Sequence, residues 1–80
     1  MAVATVIDVV AARKALEAAG LSWELHLHDA CGAQTMELKP TEGAVRDELA
    51  RAFEVVSAEF ANRRLAVEMV DDEGRILRVM

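Results

Sequence analysis

The chain has few of the residues that stabilise small proteins by covalent links or that break up regular structure. Its single cysteine, Cys31, excludes an intramolecular disulfide and suits a reducing compartment. It has one proline and four glycines, and 54% of its residues are hydrophobic, a balance that argues against disorder. The sequence therefore predicts one folded domain spanning residues 1–80, a length that allows only a thin core.

Aromatic residues and long apolar runs are also scarce. The aromatic residues are Trp23, Phe53 and Phe60, so the core must be mostly aliphatic, and a contact between two copies would supplement it. No window approaches 18 consecutive apolar residues, so no transmembrane helix and no membrane partner are expected. Asp8 and Arg13 interrupt any apolar N-terminal run, so the sequence predicts no secretion signal. The expected location is the cytoplasm.

Basic residues are fewer than acidic ones. The formal net charge is −5 and the sequence pI is about 4.9. The basic residues are interspersed with acidic ones and form no stripe of one sign. Because an acidic chain repels a phosphate backbone, the sequence predicts no nucleic-acid partner.

Periodicity predicts a first helix from Asp8 to Ala19. One face of it is apolar, and either Thr5 or Asp8 is suited to cap its start, while Gly20 is suited to end it. The residues on that apolar face are Val9, Ala12, Leu16 and Ala19. Residues 1–7 are expected to form either a lead-in or a short edge strand.

Two runs of alternating residues then predict a hairpin with Cys31-Gly32 at its tip. Trp23, Leu25 and Leu27 alternate with polar residues on the first strand, and Met36 and Leu38 do so on the second. Charge selects the register, because a slip by two residues would set Glu24 against Glu37. The preferred register opposes Glu24 to Lys39, His26 to Glu37 and His28 to Thr35.

The second half of the chain repeats the order of helix and hairpin. Pro40 ends the second strand, Thr41 is the expected cap of the next helix, and Asn62 its expected end. The apolar face of this helix is predicted to comprise Val45, Leu49, Ala52, Phe53, Val56 and Phe60. Leu65–Val70 alternates, and Asp71–Gly74 turns the chain with Gly74 in a left-handed conformation, which sets Arg78 opposite Glu68. Core gaps are expected to be filled by Met36, Met69 and Met80.

These elements predict an α+β fold, a two-layer αββαββ sandwich. Its four-stranded antiparallel sheet would carry both helices on one face. The other face would be polar at the first hairpin and apolar at the second, with these residues: Glu24, His26, His28, Thr35, Glu37, Lys39, Glu68, Val70, Ile76 and Arg78.

The first hairpin holds the candidate site residues. His26 and His28 project from one strand face, and Cys31 at the tip could fold towards them. Zinc and copper ions accept imidazole and thiolate ligands together, so these three residues are candidate metal ligands. Asp29 and Gln34 complete the candidate ligand-binding set. A structural zinc site usually needs four protein ligands, so a solvated strand face with Cys31 packed in the turn is the competing interpretation. Neither interpretation supplies a catalytic set.

The stretch Leu25-His26-Leu27-His28-Asp29-Ala30-Cys31-Gly32-Ala33-Gln34 resembles the small bacterial proteins of uncharacterised function called the RDAC family. The likeness covers nearly the whole chain, and Asp29, Ala30 and Cys31 match the family name, whereas His28 stands where the family has arginine. The resemblance implies a fold and no activity.

The hairpin is also similar to that of the NifU C-terminal domain, an iron–sulfur scaffold with a Cys-x-x-Cys pair at this place. Here Gln34 stands in the place of the second cysteine. A dimer would offer two thiolates where a cluster needs four, so the iron–sulfur function does not follow from the likeness.

The leading hypothesis is a non-enzymatic binding or protein-interaction module without a cofactor. It is expected to form a homodimer through its open sheet face or an edge strand, because the core is thin and Val70 and Ile76 are apolar residues on the outer face. The alternative is a metal-binding, zinc-holding or thiol-dependent protein that uses His26, His28 and Cys31. No particular small-molecule ligand is indicated.

Overall fold

A computed structural model describes residues 4–30 and 33–79, and of residues 29, 30, 33 and 34 it describes the backbone only. The elements are α1 (Val6–Ala18), β1 (Trp23–Ala30), β2 (Ala33–Pro40), α2 (Leu49–Asn62), β3 (Val67–Met69) and β4 (Ile76–Val79). The strands form one antiparallel sheet in the order β1-β2-β4-β3. The predicted αββαββ order and antiparallel sheet are confirmed. Among the described residues, no helix is both long and apolar enough to cross a membrane.

The core lies between the two helices and one face of the sheet. Buried side chains from both helices form a single cluster with Trp23, Leu25, Met36, Leu38 and Leu77 of the sheet. Phe60 of α2 has no exposed surface and is the largest of the fully buried side chains. No buried residue of the described part is polar or charged, so the interior is held by apolar contact.

Helix α1 begins at a capping box. The Thr5 hydroxyl accepts from the Asp8 backbone N–H at 3.3 Å, and the Asp8 carboxylate accepts from the Thr5 N–H at 2.8 Å. Thr5 is thus the cap, and the helix starts earlier than predicted, at Val6, so a strand over residues 6–7 is ruled out. The predicted burial of Val9, Ala12 and Leu16 is confirmed, as is the left-handed Gly20 with φ 74°.

Because Thr5 forms this cap, replacing it with alanine is expected to lower the free energy of unfolding by about 1 kcal/mol. Thr41 provides a matched control, because it is exposed and the structure gives it no capping role. Urea unfolding of Thr5→Ala and Thr41→Ala compares the two. Equal losses of stability in both variants would contradict the assignment of the cap.

The first hairpin has the predicted register. Glu24 is paired with Lys39, His26 with Glu37 and His28 with Thr35, and the ladder extends from Trp23–Pro40 to Ala30–Ala33. Leu25 and Leu38, which oppose each other, are buried under the helices. Glu24, His26 and His28 therefore lie on the outer face of the sheet, because side chains alternate along a strand.

Helix α2 begins later than the sequence predicted. Thr41 does not cap it, because the Thr41 N–H bonds to Ser22 O at 2.9 Å and the Ala44 N–H bonds to Thr41 O at 3.0 Å, which closes a turn. Gly43 supplies the left-handed residue of that turn, with φ 88°. A short 3₁₀ turn, Arg46–Glu48, then leads into Leu49.

Two predicted core positions of this segment were wrong, and the late start explains the first of them. Val45 precedes the helix and is 51% exposed instead of buried. Phe53 is only half-buried, at the border of the core, whereas Leu49, Ala52, Val56 and Phe60 are buried as predicted. Asn62 is the last helical residue, and the left-handed conformation after the helix is adopted by Arg64, with φ 63°.

The second hairpin closes through its own carboxylate. Asp71 accepts from the backbone N–H groups of Ile76 at 2.8 Å and Arg75 at 2.9 Å, and these bonds, chiefly the one from Ile76, lower the pKa of Asp71. The left-handed Gly74 and the Glu68–Arg78 opposition are as predicted, and those two side chains form an ion pair.

Of the three methionines predicted to fill core gaps, Met36 alone is shown to do so. Met36 is fully buried in β2. Met69 is 37% exposed, because it ends the short strand β3 at the sheet edge, so its assignment to the core was wrong. Met80 lies outside the described residues.

Candidate functional site

The predicted site residues at the first hairpin are only partly described. His26 and His28 lie on the outer face of β1, His26 partly buried and His28 exposed. Asp29 and Gln34 are paired in the backbone ladder, and their side chains are outside the description. Cys31 lies outside the described residues, so the structure does not test its convergence with the histidines.

The two histidines belong to separate carboxylate networks. His26 Nε2 lies 3.2 Å from Glu24 Oε2, and the other Glu24 oxygen lies 3.6 Å from the Arg13 guanidinium. His28 Nε2 lies 3.3 Å from Glu37 Oε1. Among the side chains that the structure describes, no three of His, Cys, Asp or Glu form a group that could hold a metal ion.

Glu37 is the centre of the second network. Its Oε2 accepts from Arg75 Nη2 at 2.6 Å, and this bond is the main reason that the pKa of Glu37 is lowered and that of Arg75 raised. Lys39 and His28 lower the pKa of Glu37 further. Arg75 thus joins the second hairpin to the first across the β2–β4 contact.

The lowered carboxyl pKa values predict acid sensitivity. Asp8, Asp71 and Glu37 all have pKa values below their ordinary 3.8, 3.8 and 4.5. Near and below these ordinary pKa values the unfolded chain binds more protons than the folded one. The stability that the three carboxylates contribute is therefore fully present above their ordinary pKa values and is lost as pH falls through their lowered ones. Urea midpoints measured from about pH 6 down to about pH 3 should show this decline.

A matched variant isolates one contribution to the acid sensitivity. Asp71→Asn should show a shallower decline than wild type, because residue 71 then no longer titrates. A decline as steep as that of wild type would show that the bonds of Asp71 to Ile76 and Arg75 do not make stability depend on pH.

Strand β1 has a free edge. It stands first in the sheet order, and in the described part of the chain no strand lies beyond it. Thr41 N–H bonds to Ser22 O, so in an antiparallel ladder the even-numbered residues 22–28 direct their backbone groups to β2. The alternate residues Trp23, Leu25, Leu27 and Asp29 therefore direct their N–H and C=O groups away from the sheet.

Helix α1 lies beside this edge. On one side of α1, the Asp8 carboxylate accepts a hydrogen bond at 3.2 Å from Arg63, just past the end of α2. On the other side, Arg13 contacts Glu24 on the outer face of the sheet, so the Arg13 side chain passes the β1 edge. At 100° per residue, Val6 and Val10 lie on the Arg13 side of the buried stripe, away from α2. They are 70% and 40% exposed. We call the edge of β1 together with Val6 and Val10 the β1 flank.

A cavity of about 230 Å³ lies at the other end of the β1–β2 hairpin from its tip. Its apolar wall consists of Trp23, Pro40, Ala44 and Leu49, and its charged wall consists of Arg46, Glu73 and Arg75. Sequence reasoning missed this site. It identified Trp23 only as a core residue. Arg46 lies in the 3₁₀ turn where the sequence predicted helix, and Glu73 and Arg75 lie between β3 and β4, so no local pattern joins them.

Comparisons of the chain with protein-family profiles, with curated proteins and with solved structures found no match. The likeness to the RDAC family and that to the NifU C-terminal domain therefore stay predictions.

Proposed function

We propose that the chain is a non-enzymatic protein-interaction module that associates with a second copy through the β1 flank. The observation that supports this most strongly is an eight-residue edge strand lying beside two exposed valines. An unpaired edge offers hydrogen-bonding groups to another strand, and exposed apolar side chains beside it gain free energy when they are covered.

Charge supports two antiparallel registers for this pairing. Only the residues that point away from β2 can bond to the partner strand, which restricts the choice to registers that join odd-numbered residues. Opposing Leu25 to Leu25 of the second copy sets Glu24 against His26, and opposing Leu25 to Leu27 sets Glu24 against His28. The result is a two-fold symmetric, continuous eight-stranded sheet with α1 of each copy beside the joint.

Val6 and Val10 add the apolar surface that the edge of β1 lacks. Edge pairing alone covers little apolar surface. Because α1 returns into β1 through a short connection and so runs antiparallel to it, Val10 and Val6 lie successively further along the strand from Arg13. In the symmetric arrangement these valines from the two copies would face each other across the joint.

Sedimentation equilibrium tests the proposal. The wild type is expected to show twice the 8.7 kDa mass of one chain at micromolar concentration. Val10→Lys would place one positive charge from each copy in the joint. Because burying a valine contributes about 1.5 kcal/mol or more, this variant should raise the dimer dissociation constant at least about tenfold.

Val70→Lys is the matched control. Val70 is 49% exposed, close to the 40% of Val10, but it lies beside the opposite edge of the sheet. It should leave the mass unchanged. A monomeric wild type would refute self-association, and weakening by Val70→Lys alone would place the contact at the second hairpin. Circular dichroism of both variants verifies that they remain folded.

The module is proposed to work without a metal or other cofactor, in the bacterial cytoplasm. The proposal that no metal is bound is supported by the hydrogen bonds that already engage each histidine with a different carboxylate. A zinc titration tests it. Binding tighter than about millimolar that is lost in both His26→Ala and Cys31→Ser would instead favour the alternative metal site.

A further inference from the structure

The cavity at the base of the first hairpin combines an apolar wall with two guanidinium groups. Pro40, Ala44, Leu49 and the Trp23 side chain form the apolar part. Arg46 and Arg75 stand beside it in a chain whose net charge is −5. Pockets that hold small molecules have this composition, namely a mostly apolar lining with a few placed polar groups.

Several hydrogen-bond donors at this cavity are unused. Arg46 has no side-chain hydrogen bond or ion pair within the described ranges. Trp23 is 93% buried, and its indole Nε1 and the Nε of Arg75 are buried without an acceptor among the described residues. Buried donors of this kind normally have partners, since leaving one unpaired costs free energy.

The charges of the cavity select the ligand. Glu73 offers the charged wall's one carboxylate, which lies 3.6 Å from Arg75 Nη1 and remains 62% exposed. Arg75 also bonds to Glu37, so Arg46 is the cation left unpaired. A guanidinium presents paired N–H groups that match a planar carboxylate.

We propose that this cavity binds a small organic acid, with its carboxylate on Arg46 and Arg75 and its apolar body against Leu49, Pro40 and the Trp23 ring. At about 230 Å³ the cavity is smaller than a typical drug-sized pocket, so the body is no larger than one ring or a short branched chain. The backbone of Trp23 belongs to both the cavity and the β1 flank, but Arg46, Arg75 and Leu49 lie outside that flank, so the proposal does not depend on dimerisation.

Trp23 makes the test direct, because it is the single tryptophan of the chain. Benzoate is the probe, benzamide its neutral counterpart, and inorganic phosphate the anion without an apolar body. The indole N–H resonance should shift saturably with benzoate, with a dissociation constant of about 1 mM or below. Benzamide and phosphate should bind at least about tenfold more weakly, because each lacks one of the two features that the cavity recognises.

Variants separate the cavity from a general charge effect. Arg46→Ala should weaken benzoate binding at least about tenfold, and Glu73→Gln should strengthen it, because the competing carboxylate is removed. Arg51→Ala is the matched control, an exposed arginine of α2 that does not line the cavity. No shift of the indole resonance at about 10 mM benzoate, or equal weakening by Arg46→Ala and Arg51→Ala, would overturn the proposal.

Discussion

Replacing Phe60 with alanine is expected to lower the free energy of unfolding by about 3–5 kcal/mol. Phe60 has no exposed surface and belongs to the cluster that joins α2 to the sheet. The substitution removes the apolar contact of a whole ring and leaves a cavity that the surrounding side chains fill only in part. The free energy of unfolding of a native protein is only about 5–15 kcal/mol, so a large share of the variant molecules would be unfolded on warming.

Phe53 is the matched control for this experiment. It lies two turns earlier on the same helix and is only half-buried. Phe53→Ala should cost about 1–2 kcal/mol, since less apolar surface returns to water. Urea unfolding gives both values. Equal losses for the two phenylalanines would mean that the core does not extend under the C-terminal half of α2 as the structure places it.

Leu77→Ala is expected to cost about 2–5 kcal/mol. Leu77 is fully buried in β4, and β4 is paired on both sides, with Met36 of β2 and Met69 of β3 opposite residue 77. Truncating the Leu77 side chain therefore weakens the contact between the two hairpins as well as the packing of the sheet against the helices.

Met69→Ala tests whether the burial of Leu77 causes this cost. Met69 is paired with Leu77 and shares its sheet face, yet it is 37% exposed at the edge strand. Its truncation should cost less than about 1 kcal/mol. Thermal melts followed by circular dichroism compare the two variants, and a Met69 variant as unstable as the Leu77 variant would contradict the assignment of the core boundary.

Local patterns predicted the parts of the fold that depend on local chemistry. The register of the first hairpin followed from alternation and from the charges of Glu24 and Lys39, and the end of α1 followed from Gly20. These features depend on neighbours within a few residues or across one turn. For the same reason the predicted burial of Val9 and Leu16 was confirmed.

Errors arose where a distant contact competes with a local preference. Val45 fits the apolar period of α2, but Thr41 is bonded to Ser22 at the start of β1, and this tertiary bond delays the helix. Val6 was predicted to precede the first helix and Val10 to lie within it, and only the position of α1 beside the edge strand reveals that they are exposed together. The cavity could not be predicted, because Arg46 and Arg75 meet Trp23 only once the sheet order is known.

The two edges of the sheet differ in length, and this asymmetry would limit how far the proposed assembly can proceed. Strand β1 has eight residues, whereas β3 at the opposite edge has three and carries the Glu68–Arg78 ion pair beside it. Two copies joined along β1 would expose a short β3 at each end, which offers too few backbone groups and too much charge to recruit a third strand. Growth would therefore stop at a closed pair, and the long edge through which we propose association would not seed a fibre.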